Sequence, residues 1–273
     1  MKAEKTSFIE RLVKVVGKDW VTTEREFMES YLRDETPEPV RPSAASNLIL
    51  VKPSATRELS QVLKLADENR ISVFPVGGRT GLVGGSVPTE AGIILSLERM
   101  NKIEIDRENL MAIAEAGATL GDLIKASEDA GLFFPPHPGD EGAQIGGLIA
   151  TNAGGVRAVR YGVMRNYVRG VEAVLPNGDV IELGGRLIKN NTGYDLMQLI
   201  IGSEGTLCVI TKAVIKLYPK SVSSATLVVP FNSRMDALTA VQKILQSPIL
   251  PLAIEYVEIK EINEAAKHIN EEW

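Results

Sequence analysis

The sequence predicts an α+β protein organised around a strand-rich domain over residues 46–220. Three observations carry this expectation. A strand–helix–strand pattern runs from Leu48 to Val76, a series of short strand-like runs leads to a hairpin signal at 168–183, and a second strand–helix–strand–helix pattern begins near Ser221. The 273 residues are 44% hydrophobic and 24% charged, which is enough to bury a core and unlike a disordered chain. Residues 1–45 read as a helical segment with its connection, and 221–273 as the start of a further α+β domain that ends before a sheet is complete.

Each element has a local signal. Phe8, Leu12, Val15 and Val16 are at roughly helical spacing, and a second short helix is expected near 24–33. "DETPEPVRPSAASN" reads as an extended connection. "LILV" is a strand. The helix after it has Ser54 or Thr56 as a candidate N-cap and Leu59, Val62, Leu63 and Ala66 on one face. "ISVFPV", "GIILSL", "IEID" and "MAIAEAGA" are strand-like, and 119–130 reads as a helix capped by Thr119. In "VRGVEAVLPNGDVIEL" two apolar runs flank Asn177-Gly178, a pair suited to positive φ in a tight turn. "TLCVITKAVIKLYP" and then "ATLVVPF" and "LAIEYVE" are further strands. A helix is expected near 233–246, and a last one running to Trp273.

Composition narrows the function. A net charge of −5 argues against nucleic acid, which needs a basic footprint. No run approaches the ~18 apolar residues of a membrane span, and the N-terminus lacks a signal-like apolar block. One cysteine excludes an internal disulfide, and His137 and His268 are far apart in sequence, so no metal site is expected. The expected location is the cytoplasm, at a membrane only through a partner.

The chemistry is concentrated in glycine. "PVGGRTGLVGGSVP" follows a strand and places five glycines between Gly77 and Gly85. It has no lysine for a P-loop and lacks the G-x-G-x-x-G spacing and following helix of a Rossmann loop. Bare backbone remains: successive N–H groups can curl round an anion, with Arg79 and Thr80 adding side chains. On its own the loop is equally a surface turn. "PPHPGDEGAQIGGLIATNAGGVRAVRYG" adds seven glycines, with Ile145, Leu148 and Ile149 among them, which suits a short helix packed on something flat. "NNTGYDLMQLIIGSEGTLCVIT" adds Gly193, Gly202 and Gly205. Three such segments suggest one long ligand lying along several loops.

Together with "GVEAVLPNGDVIELGGRLIKNNTGYDL", these segments resemble the FAD-binding domain of the vanillyl-alcohol oxidase (PCMH) type. The resemblance is greatest to the group of D-lactate and D-2-hydroxyglutarate dehydrogenases and the glycolate oxidase D subunit, and runs from about Leu48 to Tyr218. It implies two α+β subdomains with one extended FAD between them, followed by the incomplete start of an α+β substrate (cap) domain. By resemblance Pro75, Gly77, Gly78, Arg79, Thr80 and Gly81 wrap the pyrophosphate, with Gly85 and Ser86 completing that wall. Pro138, Gly139, Ala143, Gly146, Gly147, Thr151 and Asn152 line the flavin and ribityl side. Gly154 and Gly155 let the chain pass close to the cofactor, and Glu204, Gly205 and Ile210 flank the adenosine half.

The resemblance also implies oxidation of a small D-2-hydroxy acid to the 2-oxo acid, with hydride passing to flavin N5. The family's His-rich Gly-Asp-Gly-Asn motif is absent, so no catalytic residue is assigned. The alternative to an oxidoreductase is an FAD-binding module inactive alone, needing a partner subunit that supplies the substrate domain; a partner that accepts electrons is a further expectation. An unpaired strand edge in the incomplete domain would favour association. The glycine loop has neither His nor Cys, so FAD is expected to be non-covalent. Plainer readings stand beside these: Gly154-Gly155 as a helix C-cap, Asp195 as a helix cap, at least one of Arg157, Arg160 and Arg165 on a solvated face, Tyr161 and Tyr194 as core or edge aromatics, Cys208 as inert packing, and His137 as structural.

Overall fold

A computed structural model describes residues 2–270. Helix α1 (Lys2–Val16) presses Phe8, Leu12 and Val16 into the core. It is followed by β1 (Val21–Thr22), β2 (Leu48–Val51), α2 (Thr56–Glu68), β3 (Ser72–Val76) and β4 (Gly92–Ser96). These strands form one sheet in the order β1-β2-β4-β3, parallel across β2–β4 and β4–β3 and antiparallel at β1. β2 and β4 are buried at every position because the sheet is covered on both faces. Ile49, Val51, Ile93 and Leu95 face the core shared with α1 and α2, whereas Leu48, Leu50 and Ile94 face Met28, Tyr31 and Leu32.

The helix expected near 24–33 is instead two 3-10 turns, Arg25–Phe27 and Glu29–Tyr31. The tighter turns still deliver Met28, Tyr31 and Leu32 to the sheet, and Phe27 faces solvent. The connection after it is extended but for one turn, Glu38–Val40. Neither Ser54 nor Thr56 caps α2. Ala55 occupies that position, the Ser54 N–H donates to Glu58 (2.7 Å), and Thr56 donates to Glu172 across the molecule (2.6 Å).

The second layer contains β5 (Ile103–Asp106), β6 (Met111–Glu115), α3 (Leu120–Asp129), β7 (Leu132–Phe133), α4 (Ile145–Ala150), α5 (Ala158–Tyr161), β8 (Val168–Val174), β9 (Val180–Gly184), α6 (Met197–Ile200), β10 (Val209–Lys216) and β11 (Tyr218–Pro219). Its main sheet is antiparallel throughout, in the order β5-β6-β10-β8-β9, and β11 pairs with β7 separately. Thr119 caps α3 in a reciprocal capping box with Asp122. The β8–β9 hairpin is as expected, but only Gly178 of its turn pair has positive φ, +90°. Gly178 N–H closes a β-turn on the Leu175 carbonyl (2.9 Å), so Pro176 and Asn177 take ordinary turn positions.

Beyond Pro219 the expected helices form as α7 (Arg234–Leu245) and α8 (Ile259–His268); Trp273 lies outside the described residues. The expected strands at 225–231 and 252–258 do not form. A helix satisfies its backbone internally, whereas a strand needs a neighbour. No described strand lies beside these runs, and Leu227 and Val228 remain exposed.

One polar clasp joins the two layers. The ladder between β10 and β8 shifts register between Ile210 and Lys212, and Thr211 there turns its hydroxyl to Glu172 Oε1 (2.6 Å). Thr56, at the start of α2, donates to the same oxygen (2.6 Å), and Lys212 lies 3.8 Å from Oε2. Burial pushes the Glu172 pKa up, but the two hydroxyls and Lys212 outweigh it and hold the carboxyl below its ordinary value. A depressed carboxylate pKa stabilises the fold fully above the unfolded value, about 4.3, and this stabilisation is lost as pH falls through the folded value. Glu172→Ala should therefore lower the unfolding free energy at pH 7 by about 1–3 kcal/mol. Urea titrations should show the deficit shrinking below pH ~4; an equal deficit in acid would refute the clasp.

Candidate functional site

The carboxyl ends of β3 and β4 open onto a cleft of about 490 Å³, the edge at which ligands enter sheets with parallel strands. The loop from Gly77 to Ser86 forms one wall. The segment from Pro138 through α4 to Gly154 forms the second, and Ser203–Gly205 with Cys208–Ile210 the third. Of the residues expected to hold the cofactor, Pro75, Gly77, Gly78, Arg79, Thr80, Gly81, Gly85, Ser86, Pro138, Ala143, Gly146, Gly147, Thr151, Asn152, Gly154, Glu204, Gly205 and Ile210 all line this cleft. Gly139 and Gly155 do not. A second cavity of about 400 Å³ shares Pro75, Gly85, Ser86, Glu204, Gly205, Cys208 and Val209 with the first. The two adjoin along these residues and are taken together as the trough, whose second part is lined by Leu63, Ile71, Val73, Phe74 and Pro176 with Asp67 and Thr206.

Glycine has distinct functions along these walls. A Cβ on Gly78 would collide with the Gly142 carbonyl and stand 2.9 Å from Ala143 Cα; one on Gly146 would be 2.8 Å from Ala116 Cβ. Gly155 is packed against the His137 carbonyl, where no larger residue fits. This close approach displaces the C-cap reading of Gly154-Gly155: α4 is capped by Thr151, and neither glycine has positive φ. Gly147 is the opposite case, with nothing within 4 Å of a built Cβ. It keeps the floor of the cleft open.

The glycine loop is rich in unused donors. Among the described residues, no backbone N–H from Gly78 to Ser86 is hydrogen-bonded within the protein. Nine consecutive free donors beside a cleft form the kind of concavity that holds an anion. The backbone is strained where the walls meet the cleft. Arg79 (φ 63°), Asn152 (φ 50°) and Glu204 (φ 53°) are non-glycine residues in the left-handed region. Each is tied down. The Arg79 guanidinium stacks 4.7 Å over the Tyr31 ring, Asn152 Oδ1 accepts the Arg165 N–H (3.0 Å), and Glu204 N–H donates to the Ala150 carbonyl (2.8 Å). Tyr31 is itself anchored, donating to Glu98 (2.6 Å), which also takes Lys52 (2.7 Å).

Cys208 is buried, and burial pushes its thiol up to about 11, so it packs as an inert small side chain. His137 Nε2 lies 3.7 Å from Glu141. No group of three or more metal-binding side chains exists among the described residues. Arg165 is held by Gln198 and the Ile201 carbonyl, Arg157 covers the Phe133 ring, and Arg160 reaches the Leu250 carbonyl. Tyr161 packs with Phe133 and Tyr218, but Tyr194 is 93% exposed and is neither a core nor an edge aromatic. Asp195 does not cap α6, which starts after Leu196; its side chain accepts from Gln198 Nε2.

Sequence reasoning missed Asp34, Gln144 and Ser203 as lining residues. Asp34 lies in the Pro-rich connection, where no periodicity marks it. Leu95 and Leu97 also line the cleft, and their place at the carboxyl end of a parallel strand was the available signal.

A family model described as an FAD binding domain matches residues 48–184. The chain belongs to the FAD-binding domain family. Its relatives bear the names of FAD-linked oxidoreductases. It is 50% identical over 245 residues to a D-lactate dehydrogenase of Archaeoglobus fulgidus, covering 90% of this chain and 55% of that protein. It is 43% identical to the glycolate oxidase subunit GlcD of Bacillus subtilis, over 77% of this chain and 45% of that one. The chain thus spans about half the length of the curated relatives it matches. Solved structures of alkyldihydroxyacetonephosphate synthase (TM-score 0.79, 23% identity, 95% of this chain and 50% of that one) and p-cresol methylhydroxylase (TM-score 0.71, 22% identity, 89% and 49%) share the fold. The FAD-binding fold of two α+β subdomains is therefore the one the glycine segments implied.

Two glycine variants separate packing from access. In the flavin-free protein Gly155→Ala should cost about 1–3 kcal/mol by overpacking against His137. Gly147→Ala, at an unobstructed helical position, should be neutral or stabilise by about 0.5–1 kcal/mol. Urea unfolding measures both, and a destabilised Gly147→Ala would show that Gly147 is packed after all.

Proposed function

We propose that this chain holds one FAD non-covalently along the trough. In this reading it is the flavin-binding part of an oxidoreductase that converts a D-2-hydroxy acid, such as lactate or glycolate, to the 2-oxo acid. The run of free N–H groups from Gly78 to Ser86, in a loop that lines the cleft at all but Leu82 and Gly84, carries the reading in an FAD-binding domain. It fits a pyrophosphate, which needs many donors and little bulk when removed from water. Two adjoining cavities of about 490 and 400 Å³ suit an extended dinucleotide with a ring at each end.

Gly77, Gly78, Arg79, Thr80 and Gly81 then hold the phosphates, with Gly85 and Ser86 at the turn. Pro138, Ala143, Gly146, Gly147, Thr151 and Asn152 flank the flavin and ribityl chain, with Gly139 adjoining Pro138 outside the cleft lining. Gly154 belongs to the same wall, and Gly155 keeps the backbone against the His137 carbonyl behind it. Glu204, Gly205 and Ile210 border the adenosine half. A flavin held there would supply the two-electron acceptor, its N5 being the expected hydride acceptor, for oxidation of the hydroxy acid. No residue of this chain is assigned as the proton acceptor. The lack of His and Cys in the glycine loop and the buried, inert Cys208 thiol support the non-covalent reading.

The D-lactate dehydrogenase and glycolate oxidase names of the relatives support the substrate class. That the Bacillus relative is named a subunit supports a partner polypeptide that completes the substrate site or accepts electrons. The single cysteine suits a reducing cytoplasm. No helix among the described residues is long and apolar enough to cross a membrane.

The purified protein should show flavin absorption bands, directly or after reconstitution, and acid precipitation should leave all FAD in the supernatant. Failure to take up FAD would defeat the reading, and flavin retained in the pellet would defeat non-covalent binding. Anaerobic bleaching by D-lactate, glycolate or D-2-hydroxyglutarate should follow. A yellow protein that none of them reduces, with or without a partner polypeptide, would remove the 2-hydroxy-acid assignment.

A further inference from the structure

We infer that Asp34 is a binding residue for the cofactor, its free carboxylate oxygen accepting a hydrogen bond from a sugar hydroxyl of the bound dinucleotide. The inference rests on the flavin reading above. Asp34 lies in the connection between the 3-10 turns and β2, and its residue is only 5% exposed. Its Oδ1 accepts the Thr36 backbone N–H (3.0 Å), which fixes the carboxylate's direction. Its Oδ2 is buried with no partner, as is the neighbouring Thr36 hydroxyl, and Asp34 lines the cleft. That oxygen stands 3.5 Å from a Cβ built on Gly81, and Glu35 N–H donates to the Gly81 carbonyl (2.9 Å), so the connection is docked on the glycine loop.

A buried carboxylate oxygen with no donor is costly, and folded proteins rarely leave one. The nearby cation does not serve it: the Arg79 guanidinium is stacked over Tyr31. A donor from whatever fills the cleft would complete it. A phosphate cannot supply it, since its oxygens are acceptors and its charge is repelled. The groups next to the phosphates of a dinucleotide are its sugars, and their hydroxyls are donors. Free N–H groups on one part of the wall and a carboxylate on another thus divide the loop into a phosphate station and a sugar station. This sets the register of the cofactor along the trough.

The experiment is an FAD titration of the flavin-free protein, followed by flavin fluorescence, alongside its thermal unfolding. Asp34→Asn, which keeps an acceptor for the Thr36 N–H and replaces only the free oxygen, should weaken FAD binding roughly ten-fold or more while leaving the flavin-free melting temperature unchanged. Thr36→Val keeps the backbone N–H that aims Asp34, and should bind FAD as the parent does. ADP competition locates the hydroxyl: an equal loss for ADP places it on the adenosine ribose, and a loss confined to FAD places it on the ribityl chain. Unchanged FAD affinity in Asp34→Asn, a marked fall in its flavin-free melting temperature, or an equal affinity loss in Thr36→Val would each overturn the inference. A parent protein that takes up no FAD would instead overturn the flavin reading.

Discussion

Backbone meets backbone across the cleft at Gly78 and Gly142, and the rest of the site depends on that contact. A loop whose N–H groups must stay unbonded cannot be held by its own hydrogen bonds. It has to be pinned by packing from outside, and here that packing allows no side chain at Gly78. The supports come from sequence-distant segments. α4 and the chain before it press from one side, the Pro-rich connection from another through Pro42 against Gly84 and Ala45 N–H on the Pro88 carbonyl, and Glu204 from a third, 3.5 Å from a Cβ on Gly85. The fold thus arranges two sheets and an N-terminal segment round a stretch of chain that satisfies little of itself.

Strain is distributed in the same way. Left-handed φ at Arg79, Asn152 and Glu204 costs energy locally, of order 1–3 kcal/mol for each such residue. Each is balanced by a tie to a different element, so no single wall carries the whole burden. The Glu172 clasp has a comparable part at the level of layers. It joins the first turn of α2 to the irregular point of β10, and through them the parallel sheet to the antiparallel one.

Legibility in the sequence followed the range of the interactions. α3 could be read from Thr119 and Asp122, three residues apart, and the β8–β9 hairpin from its turn residues. The walls of the cleft were legible because glycine is a coarse signal that survives without knowledge of its neighbours. The strands expected at 225–231 and 252–258 failed because their apolar content says that they would suit a sheet, whereas pairing depends on a partner that local sequence cannot supply. Asp34 was hidden for a related reason. A carboxylate in a Pro-rich run looks solvated, and only the tertiary path of residues 28–45 over the sheet buries it. The 3-10 turns before it preserved the apolar spacing of Met28, Tyr31 and Leu32 while changing the backbone, a distinction periodicity does not resolve.

Pro75 lines the trough from β3, the outermost strand of the parallel sheet. Proline has no amide hydrogen to offer an incoming strand, which is why it is tolerated at sheet edges and seldom inside them. The sheet therefore terminates at this strand, and the space beyond it is not available for lateral extension. Gly205, whose built Cβ would be 3.3 Å from the Pro75 ring, closes over the same edge. A substitution of Pro75 by a β-former such as valine would restore a hydrogen-bonding rail at the mouth of the cavity and make the empty protein adhesive there, prone to pairing with its own copies. The proline that helps shape the cavity thus also keeps its entrance from being sealed by another polypeptide.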